Sequence, residues 1–511
     1  MSPLTADARA FLLELNHNSA RDGAAPRLMS ISNDGSVSCR IDDVQPKDVV
    51  FRDRQGNPIL VVDPKLATHL QERSLCVTRK DRGYQLTLSA PRRAELHSAK
   101  HLERVFVTGV TGLIGSHVVY ELLRQRLNGQ GNTPIYVGAR RGYVSPQEAV
   151  WDALFHDEMP DYLQCHSVES CKSWIKVIEM DLHDENLEQQ LRGRLPENTT
   201  VIHSAASTNL SSRGNAEAEV LKTNYQGTLR LLNAVESTCS KFVFISTAFS
   251  CGARGGEIGD DYLNAVSGQH RNPYEKSKLR LEREFSERCE EAGIEWQILR
   301  PGVVGGRLLD APLAFTSKFD VFYGLARFLC SVTKTSEQDL RILANPESSL
   351  NILPVDYVAK AIVRAVPIDN LKQLNLVHSK AVTSDQLLET FSRELGLDNC
   401  HGVPAMPEDL NSLEKLYYDK VGHIFSPYLC TTPSHYDTRN LRSLMHDIPE
   451  PNLTERLPEL LRYAAKRDFV SFDSEKRKRQ EAKAAAKPKT HLRVVEPIVD
   501  VQKPKPYALS A

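Results

Sequence analysis

The chain has 511 residues, enough for two or three domains. A hydrophobic share of 41%, a charged share of 25% and a net charge of −1 describe an ordinary soluble globular protein and exclude a global field for nucleic acid. The ten cysteines are scattered without a CxxC pair, which argues against a zinc ribbon, a resident metal and a disulfide framework, and predicts a reducing, cytoplasmic setting. The opening MSPLTADARAFLLELNHN carries acids and no basic segment ahead of an apolar core, so no secretory signal is expected. No stretch reaches the roughly twenty apolar residues of a membrane span. The nearest, Val321–Val332, is short and holds Arg327.

Residues 1–100 read as a small α+β appendage. Ala6–Leu15 predicts a short helix, and Ser36–Asp42 (SVSCRID) and Pro58–Asp63 (PILVVD) predict strands. From Asp48 to Arg79 a strand, a turn, the VVDP segment and a short helix ending in leucine follow one another. This stretch resembles part of the A-type iron–sulfur scaffold family. That family holds its cluster through three cysteines, whereas only Cys39 and Cys76 lie here and no CxC follows, so cluster binding fails on ligand count. A degenerate non-metal module for packing, dimerisation or partner docking and an unrelated α+β appendage both remain open.

Residues 101–370 hold the organising motif. Val105–Gly115 reads VFVTGVTGLIG: an apolar run with the composition of a buried parallel strand, then a glycine-rich turn, then the helical SHVVYELLRQ. Strand, glycine turn and helix form the context a dinucleotide fingerprint needs, here spaced GxxGxxG. Gly109 permits the tight turn, Gly112 lets backbone approach a pyrophosphate and Gly115 lets the helix sit close to the strand. Thr108, Thr111, Leu113 and Ile114 complete that candidate cradle.

Pro134–Arg141 (PIYVGARR) predicts a second strand ending in Arg140 and Arg141 where an NAD-binding chain places an acid. Arginine there accommodates a 2′-phosphate, so NADPH is favoured over NADH. Trp174–Leu182 predicts the third strand, with Asp181 set to bond the adenine amino group and Leu182 to pack on the ring. Thr200–Ala206 (TVIHSAA) predicts the fourth, and its Ser204, Ala205 and Ala206 let backbone lie against the cofactor; His203 there reads as a structural histidine. Lys222–Glu236 has helical spacing, with Asn224 near its start. Lys241–Ala248 (KFVFISTA) delivers Ser246 and Thr247 to the C-terminal sheet edge, where open α/β sheets bind ligands.

Asn272–Lys278 reads NPYEKSK and continues as a helix, so Tyr274 and Lys278 stand one turn apart on one face. A neighbouring ammonium is expected to lower the phenol's pKa and suit it to proton transfer beside an arriving hydride. Leu299–Gly306 (LRPGVVGG) predicts a strand running into a glycine turn, with Pro301, Gly302 and Val303 shaping a loop over the cofactor.

Taken together, TGVTGLIG, GARR, MDL, HSAA, TNYQGT, FISTAFSCG, NPYEKSK, LRPGVVGG and NILPVDYVAKAI resemble an extended short-chain dehydrogenase/reductase over about half of the chain. The resemblance implies a Rossmann doubly wound parallel sheet and a catalytic set of Thr247, Tyr274 and Lys278, with Asn224 supporting the lysine and Thr247, not Ser246, at the hydroxyl position. FISTAF, NPYEKSK, LRPGVVGG and NILPVDYVAKAI further resemble the acyl-thioester reductases, which include fatty acyl-CoA reductases and the terminal domains of carboxylic acid reductases. By that resemblance the substrate is an acyl-CoA or an acyl-carrier protein and the product an aldehyde or alcohol; HSAASTNL departs from that group's pattern. An extended dehydrogenase or epimerase acting on a nucleotide sugar or a hydroxysteroid-like alcohol is the alternative, and a non-catalytic dinucleotide-binding scaffold a third reading.

Phe315–Val332, with Phe319, Phe322, Tyr323, Leu325 and Phe328, reads either as an acyl-channel lining or lid or as ordinary helical packing. Asp356 reads as structural. Residues 371–470 predict a small C-terminal substrate or lid region. Residues 471–511, with EKRKRQEAKAAAKPK, predict a basic, helix-prone or disordered tail, either solvated or docking an acidic carrier protein or anionic surface.

Overall fold

The computed structural model describes residues 6–17, 24–31, 37–52, 57–64, 66–67, 75–80, 83–88, 102–262, 269–333, 336–369 and 371–486. Parts of the Asp48–Arg79 stretch, and residues 487–511 of the predicted tail, lie outside them. The chain divides into two compact units, Met1–Leu96 and His97–Ala511.

In the first unit, α1 (Ala6–His17) is followed by β1 (Ala24–Ile31), β2 (Val37–Asp43), β3 (Val49–Arg52) and β4 (Pro58–Val62). These strands form one sheet in the order β2–β1–β4–β3, with β1 parallel to β4 and the other pairs antiparallel. A hairpin of β5 (Leu75–Lys80) and β6 (Gly83–Leu88) completes the unit. Its core gathers Leu12, Leu28, Ile59, Leu60, Val62, Leu75 and Leu86. Cys39 is half-buried, and burial pushes its thiol up to about 11, away from the thiolate that binds metals. Among the described residues of the chain no three His, Cys, Asp or Glu side chains gather into a metal site.

The second unit is built on seven parallel strands. They are β7 (Val105–Thr108), β8 (Ile135–Ala139), β9 (Ile175–Glu179), β10 (Thr199–His203), β11 (Cys239–Ile245), β12 (Glu295–Pro301) and β13 (Gln373–Leu376). Their order is β9–β8–β7–β10–β11–β12–β13, every pair parallel, so the chain reverses its direction of growth between β7 and β10. That switch point leaves a crevice at the C-terminal strand ends, as the doubly wound fold requires. The central strands are short and rich in apolar residues; Val105, Phe106, Val107, Val201, Ile202, Phe242, Val243 and Phe244 are buried, as in a sheet covered on both faces.

One face packs α4 (Gly227–Val235) and α5 (Pro273–Glu291) around Phe106, Val201, Phe242, Phe244, Leu281 and Phe285. On the other, α2 (Leu113–Leu127) packs against α7 (Val355–Ala365), and Lys360 of α7 is held by Glu121 of α2 and by Asp310 at 2.6 Å. Asp356 is buried and accepts the N–H groups of Leu308, Leu309 and Asp310 at 2.6–3.1 Å, fixing that turn. A second apolar core covers the substrate side. It joins α6 (Phe322–Thr333), α8 (Ser384–Leu395) and α10 (Leu453–Lys466) through Phe322, Tyr323, Leu329, Phe391, Leu457 and Leu461. Phe319, Phe322, Tyr323 and Leu325 are part of this core and Phe328 packs against it, so the aromatic stretch is packing and not an open channel. Where a tail was expected, Phe472–Ala486 forms a helix, α11.

One ion pair fastens the strand ends to α5. Arg300 of β12 and Glu282 of α5 are both fully buried, with the guanidinium donating to both carboxylate oxygens at 2.8–3.1 Å. Arg300 also donates to Asp260 O at 2.8 Å and Gln373 Oε1 at 2.6 Å, and its guanidinium lies 4.0 Å from the Tyr262 ring centroid. Removing one partner strands the other charge in the interior. Arg300→Leu is therefore expected to destabilise the protein by about 3–5 kcal/mol. The paired change E282L/R300L is expected to recover part of that loss, both read from chemical denaturation midpoints. A double variant no more stable than R300L would contradict this account.

Candidate active site

The glycine turn is a close fit between two strand ends. Gly109 sits at φ +75°, and a Cβ there would lie 2.6 Å from Ala205 N and 2.8 Å from Ser204 Oγ. A Cβ on Gly115 would lie 2.2 Å from Gly109 O, so α2 is drawn directly against the turn. Gly112 differs: its Cβ would meet only Gly109 O, at 3.3 Å, and the residue faces a cavity. No side chain caps α2 at Gly112, which leaves a helix N-terminus turned to that space. A turn whose middle glycine is bare on the cavity side, beside an uncapped helix, fits the pyrophosphate of a dinucleotide.

The cavity measures about 410 Å³. Of the residues expected at the site, Gly109, Gly112, Leu113, Ile114, Gly115, Ser204, Ala206, Thr247, Tyr274, Lys278, Pro301, Gly302 and Val303 line it. Thr108 and Ala205 stand behind that wall, where the Thr108 hydroxyl meets His203 Nδ1 at 2.6 Å. His203 is buried, its Nε2 meets the Thr228 hydroxyl at 2.9 Å, and burial lowers its pKa to about 3, so it is a neutral structural residue.

Thr111, Arg140, Arg141, Asp181 and Leu182 do not line the cavity. Arg141 is held by Glu179 through two bonds of 2.7 Å, whereas Arg140 is exposed at the end of β8 with no partner among the described residues. Asp181 accepts His183 N–H at 2.9 Å, closing a local turn. Leu182 packs towards Gly227 and joins the core.

Tyr274 and Lys278 are placed by the first turns of α5. Asn272 caps that helix by accepting Glu275 N–H at 3.0 Å, and Pro273 opens it. Both side chains are buried. Lys278 Nζ donates to Ile245 O at 3.1 Å, and it lies 4.6 Å from the Phe244 ring centroid and 5.8 Å from that of Tyr274. Burial brings the lysine down to about 8, with Glu282 opposing the shift. The phenol departs from expectation. Burial, reinforced by Glu275, raises its pKa above the ordinary tyrosine value, while Thr247 pulls the other way. The ammonium is aimed at the β11 carbonyl, so its charge does not overcome the loss of water around the ring. The phenol is therefore held as a proton donor.

Thr247 is buried and its hydroxyl reaches Pro301 O at 3.4 Å. Ser246 instead donates to the buried Glu282, which removes it from the cavity chemistry. Asn224 is bonded elsewhere than to the lysine. It lies in a π-helical turn, Leu221–Gln226, and both ends of its amide bind the backbone of Ser207, at 2.7 and 2.9 Å. It positions the segment after β10 and does not contact Lys278.

The rest of the cavity lining comes from outside the expected set, though Lys318, Asp320 and Val321 belong to the Phe315–Val332 stretch read as a channel lining or as packing. Thr208, Asn209 and Leu210 belong to the divergent HSAASTNL segment, and Ser211 follows it. Lys318, Asp320, Val321, Leu350, Ile424, Phe425 and Tyr428 arrive from distant stretches. Tyr428 is oriented by Asn272, whose amide donates to its hydroxyl at 2.8 Å, and by Arg271, 5.0 Å from its ring centroid. The phenol-and-lysine pair thus opens on a chamber whose remaining wall sets apolar Leu210, Val321, Leu350, Ile424 and Phe425 beside polar Thr208, Asn209, Ser211, Lys318 and Asp320. Among the described residues no helix is long and apolar enough to cross a membrane.

Residues 107–362 match the family model of the male sterility protein. No curated protein matches the chain by sequence. Among solved structures it is similar to a thiolation-reductase di-domain from an archaeal non-ribosomal peptide synthetase, at 19% identity and a TM-score of 0.51, over 72% of this chain and 76% of that one. It is also similar to UDP-glucose 4-epimerase of Thermotoga maritima, at 20% identity over 72% of this chain and 99% of that one, with a TM-score of 0.48. UDP-glucuronic acid 4-epimerase of Bacillus cereus is similar at 17% identity over 71% and 99%, with a TM-score of 0.47. The family match takes in the glycine turn, the helix that carries Tyr274 and Lys278 and the strand ends that wall the cavity, half of the sequence in all, and the chain belongs to the male sterility protein family as an NAD(P)-dependent oxidoreductase of the extended short-chain dehydrogenase/reductase type.

Proposed function

We propose that the protein is an NADPH-dependent reductase of acyl thioesters, taking acyl-CoA or an acyl-carrier protein to an aldehyde or alcohol. The observation that carries this reading is the lining of the cavity. Thr247, Tyr274 and Lys278 meet the glycine turn at one end, and Val321, Leu350, Ile424 and Phe425 furnish an apolar wall at the other. An apolar wall suits an acyl chain better than the hydroxyls of a sugar. The archaeal di-domain stands as a likeness in which a reductase accompanies a thiolation domain, which supports trying a carrier-bound acyl group beside acyl-CoA.

The dinucleotide fits against Gly109, Gly112, Leu113, Ile114 and Gly115, with Ser204 and Ala206 along its length and Pro301, Gly302 and Val303 over the nicotinamide end. Bound there, it supplies a hydride for the carbonyl carbon. Thr247 and Tyr274 hydrogen-bond the carbonyl oxygen, and Tyr274 gives it a proton as negative charge develops. A phenol that burial keeps protonated is ready for that task. Lys278, charged below about 8, offsets the phenolate left behind. The resulting hemithioacetal breaks its C–S bond, the thiolate takes a proton, and an aldehyde is released. A second reduction of the aldehyde gives the alcohol. The same three residues would serve an alcohol or nucleotide-sugar substrate, and the assay separates these.

Purified protein with NADPH and acyl-CoAs of graded length is expected to consume one reduced cofactor per free thiol released where the product is the aldehyde, and two where it is the alcohol. Tyr274→Phe is expected to lose about 10²–10⁴-fold in rate while still binding NADPH. Cofactor binding without turnover of any CoA or carrier thioester would move the alcohol or sugar reading ahead. The rate is expected to fall as pH rises past about 8, because the depressed pKa of Lys278 removes its charge there. A rate flat to pH 10 would exclude a role for that charge. Arg140→Ala is expected to weaken NADPH about tenfold and leave NADH nearly unchanged, with Arg141→Ala weaker in effect because Glu179 already holds that side chain.

A further inference from the structure

Helix α11 does not trail from the fold. Phe472 at its start seats against His156, with ring centroids 4.2 Å apart, and against Phe315 at 5.8 Å. Asp473 N–H donates to Ser317 O at 3.0 Å. From that anchor the helix crosses two loops. Lys476 is buried, and its ammonium donates to the carbonyl of Thr111, inside the glycine turn, at 3.4 Å and to Asp473 at 2.9 Å. The next residue, Arg477, pairs with Glu481 at 2.9 Å and interacts electrostatically with Tyr143, two positions beyond Arg141. One turn on, Gln480 donates to Asp152 Oδ2 at 3.0 Å in the helix Pro146–Leu154. The helix therefore joins the loop after β7 to the loop after β8, the two loops that flank the adenosine half of a dinucleotide in this fold.

The cation count on that side points to a ligand. Arg141 and Lys476 each face a carboxylate, Glu179 at 2.7 Å and Asp473 at 2.9 Å, but only Lys476 also reaches the glycine turn, and Arg140 is the exposed cation just after β8, unpaired among the described residues. A phosphate monoester carries close to two negative charges and is bound by more than one cationic donor. An ammonium has three N–H donors, and two of those on Lys476 are used, by Thr111 O and Asp473. A long cationic side chain buried against a phosphate-turn carbonyl gains little as surface charge.

We propose that α11 is part of the dinucleotide site and that Lys476 pairs with the phosphate on the adenosine ribose of NADPH, sharing it with Arg140. This rests on the NADPH reading above. The test is equilibrium binding, independent of turnover: NADPH, NADH, 2′,5′-ADP and 5′-AMP titrated against the full chain, K476Q, K476R and R140A. K476Q is expected to weaken NADPH and 2′,5′-ADP about tenfold and to leave NADH and 5′-AMP within about twofold, with K476R retaining most of the affinity. A K476Q protein that loses NADPH and NADH alike, or neither, overturns the contact and leaves α11 as a strap. Thermal melting of K476Q identifies a general loss of fold, in which case K476R and its retention of the NADPH preference decides the matter. If the unaltered protein binds both dinucleotides equally, the NADPH reading itself falls; if R140A loses the preference and K476Q keeps it, only the role of the helix falls.

Discussion

The buried pair of Glu282 and Arg300 is the contact on which the reactive geometry depends. Glu282 stands one turn beyond Lys278 on α5, and its carboxylate also accepts the hydroxyls of Ser246 and of Ser250 at 2.8 Å. Arg300 brings in the end of β12 together with Asp260 and Gln373. One carboxylate thus sets the height of α5 against the strand that delivers Thr247 and the strand that leads into Pro301 and Gly302. Desolvating two charges is expensive, and such a pair adds little net stability over well-packed apolar residues. What it adds here is position: each donor has one geometry, so the helix cannot slide by a turn without stranding a charge. The same carboxylate opposes the downward shift of Lys278, keeping the lysine more basic than burial alone would leave it.

Seen from that pair, the elements that sequence reasoning reached are those whose chemistry is local. The VFVTGVTGLIG turn is legible because steric demands act between near neighbours: Gly115 meets Gly109, six residues away. The Tyr274–Lys278 pair is legible because helical spacing puts both on one face. The parallel strands are legible as short apolar runs because both sheet faces are covered. β12 begins at Glu295, earlier than LRPGVVGG indicates, since Trp296, Gln297 and Ile298 read as an ordinary mixed segment until β11 and β13 pair with them.

The remainder was hidden because it is made by distance. The Asn224 amide spans seventeen residues to Ser207, Asn272 reaches Tyr428 across 156, and Arg213 reaches Asp419 across 206. No periodicity records such contacts. The phenol illustrates the same limit in electrostatics. Its partner lysine was visible in the motif, but the size of the burial effect depends on Phe249, Leu350 and Tyr428 gathering around the cavity, and the direction of its pKa reversed accordingly. Helix α11 shows it for docking: EKRKRQEAKAAA reads as helix-prone, but its seat depends on Phe472 meeting His156 and Phe315 from far back in the chain.

These two kinds of information divide the cavity. Its reactive half is held by the sheet and by α5, whose positions follow from local sequence. Its selective half is held by the second core, to which the aromatic stretch belongs. Phe319 and Phe322 are buried in that core, and between them the chain turns so that Asp320 and Val321 face the cavity. Val321 makes this turn at φ +50°, a left-handed conformation that a β-branched residue adopts only at a free-energy cost. Packing on both sides has to offset that cost, so the aromatic side chains act on the ligand indirectly, by fixing the backbone that forms the wall. On the proposed acyl-thioester reading, a change of chain-length preference is accordingly to be sought at Val321, Ile424 and Phe425, which meet the cavity, and not at Phe322 or Tyr323, whose loss would loosen the core first.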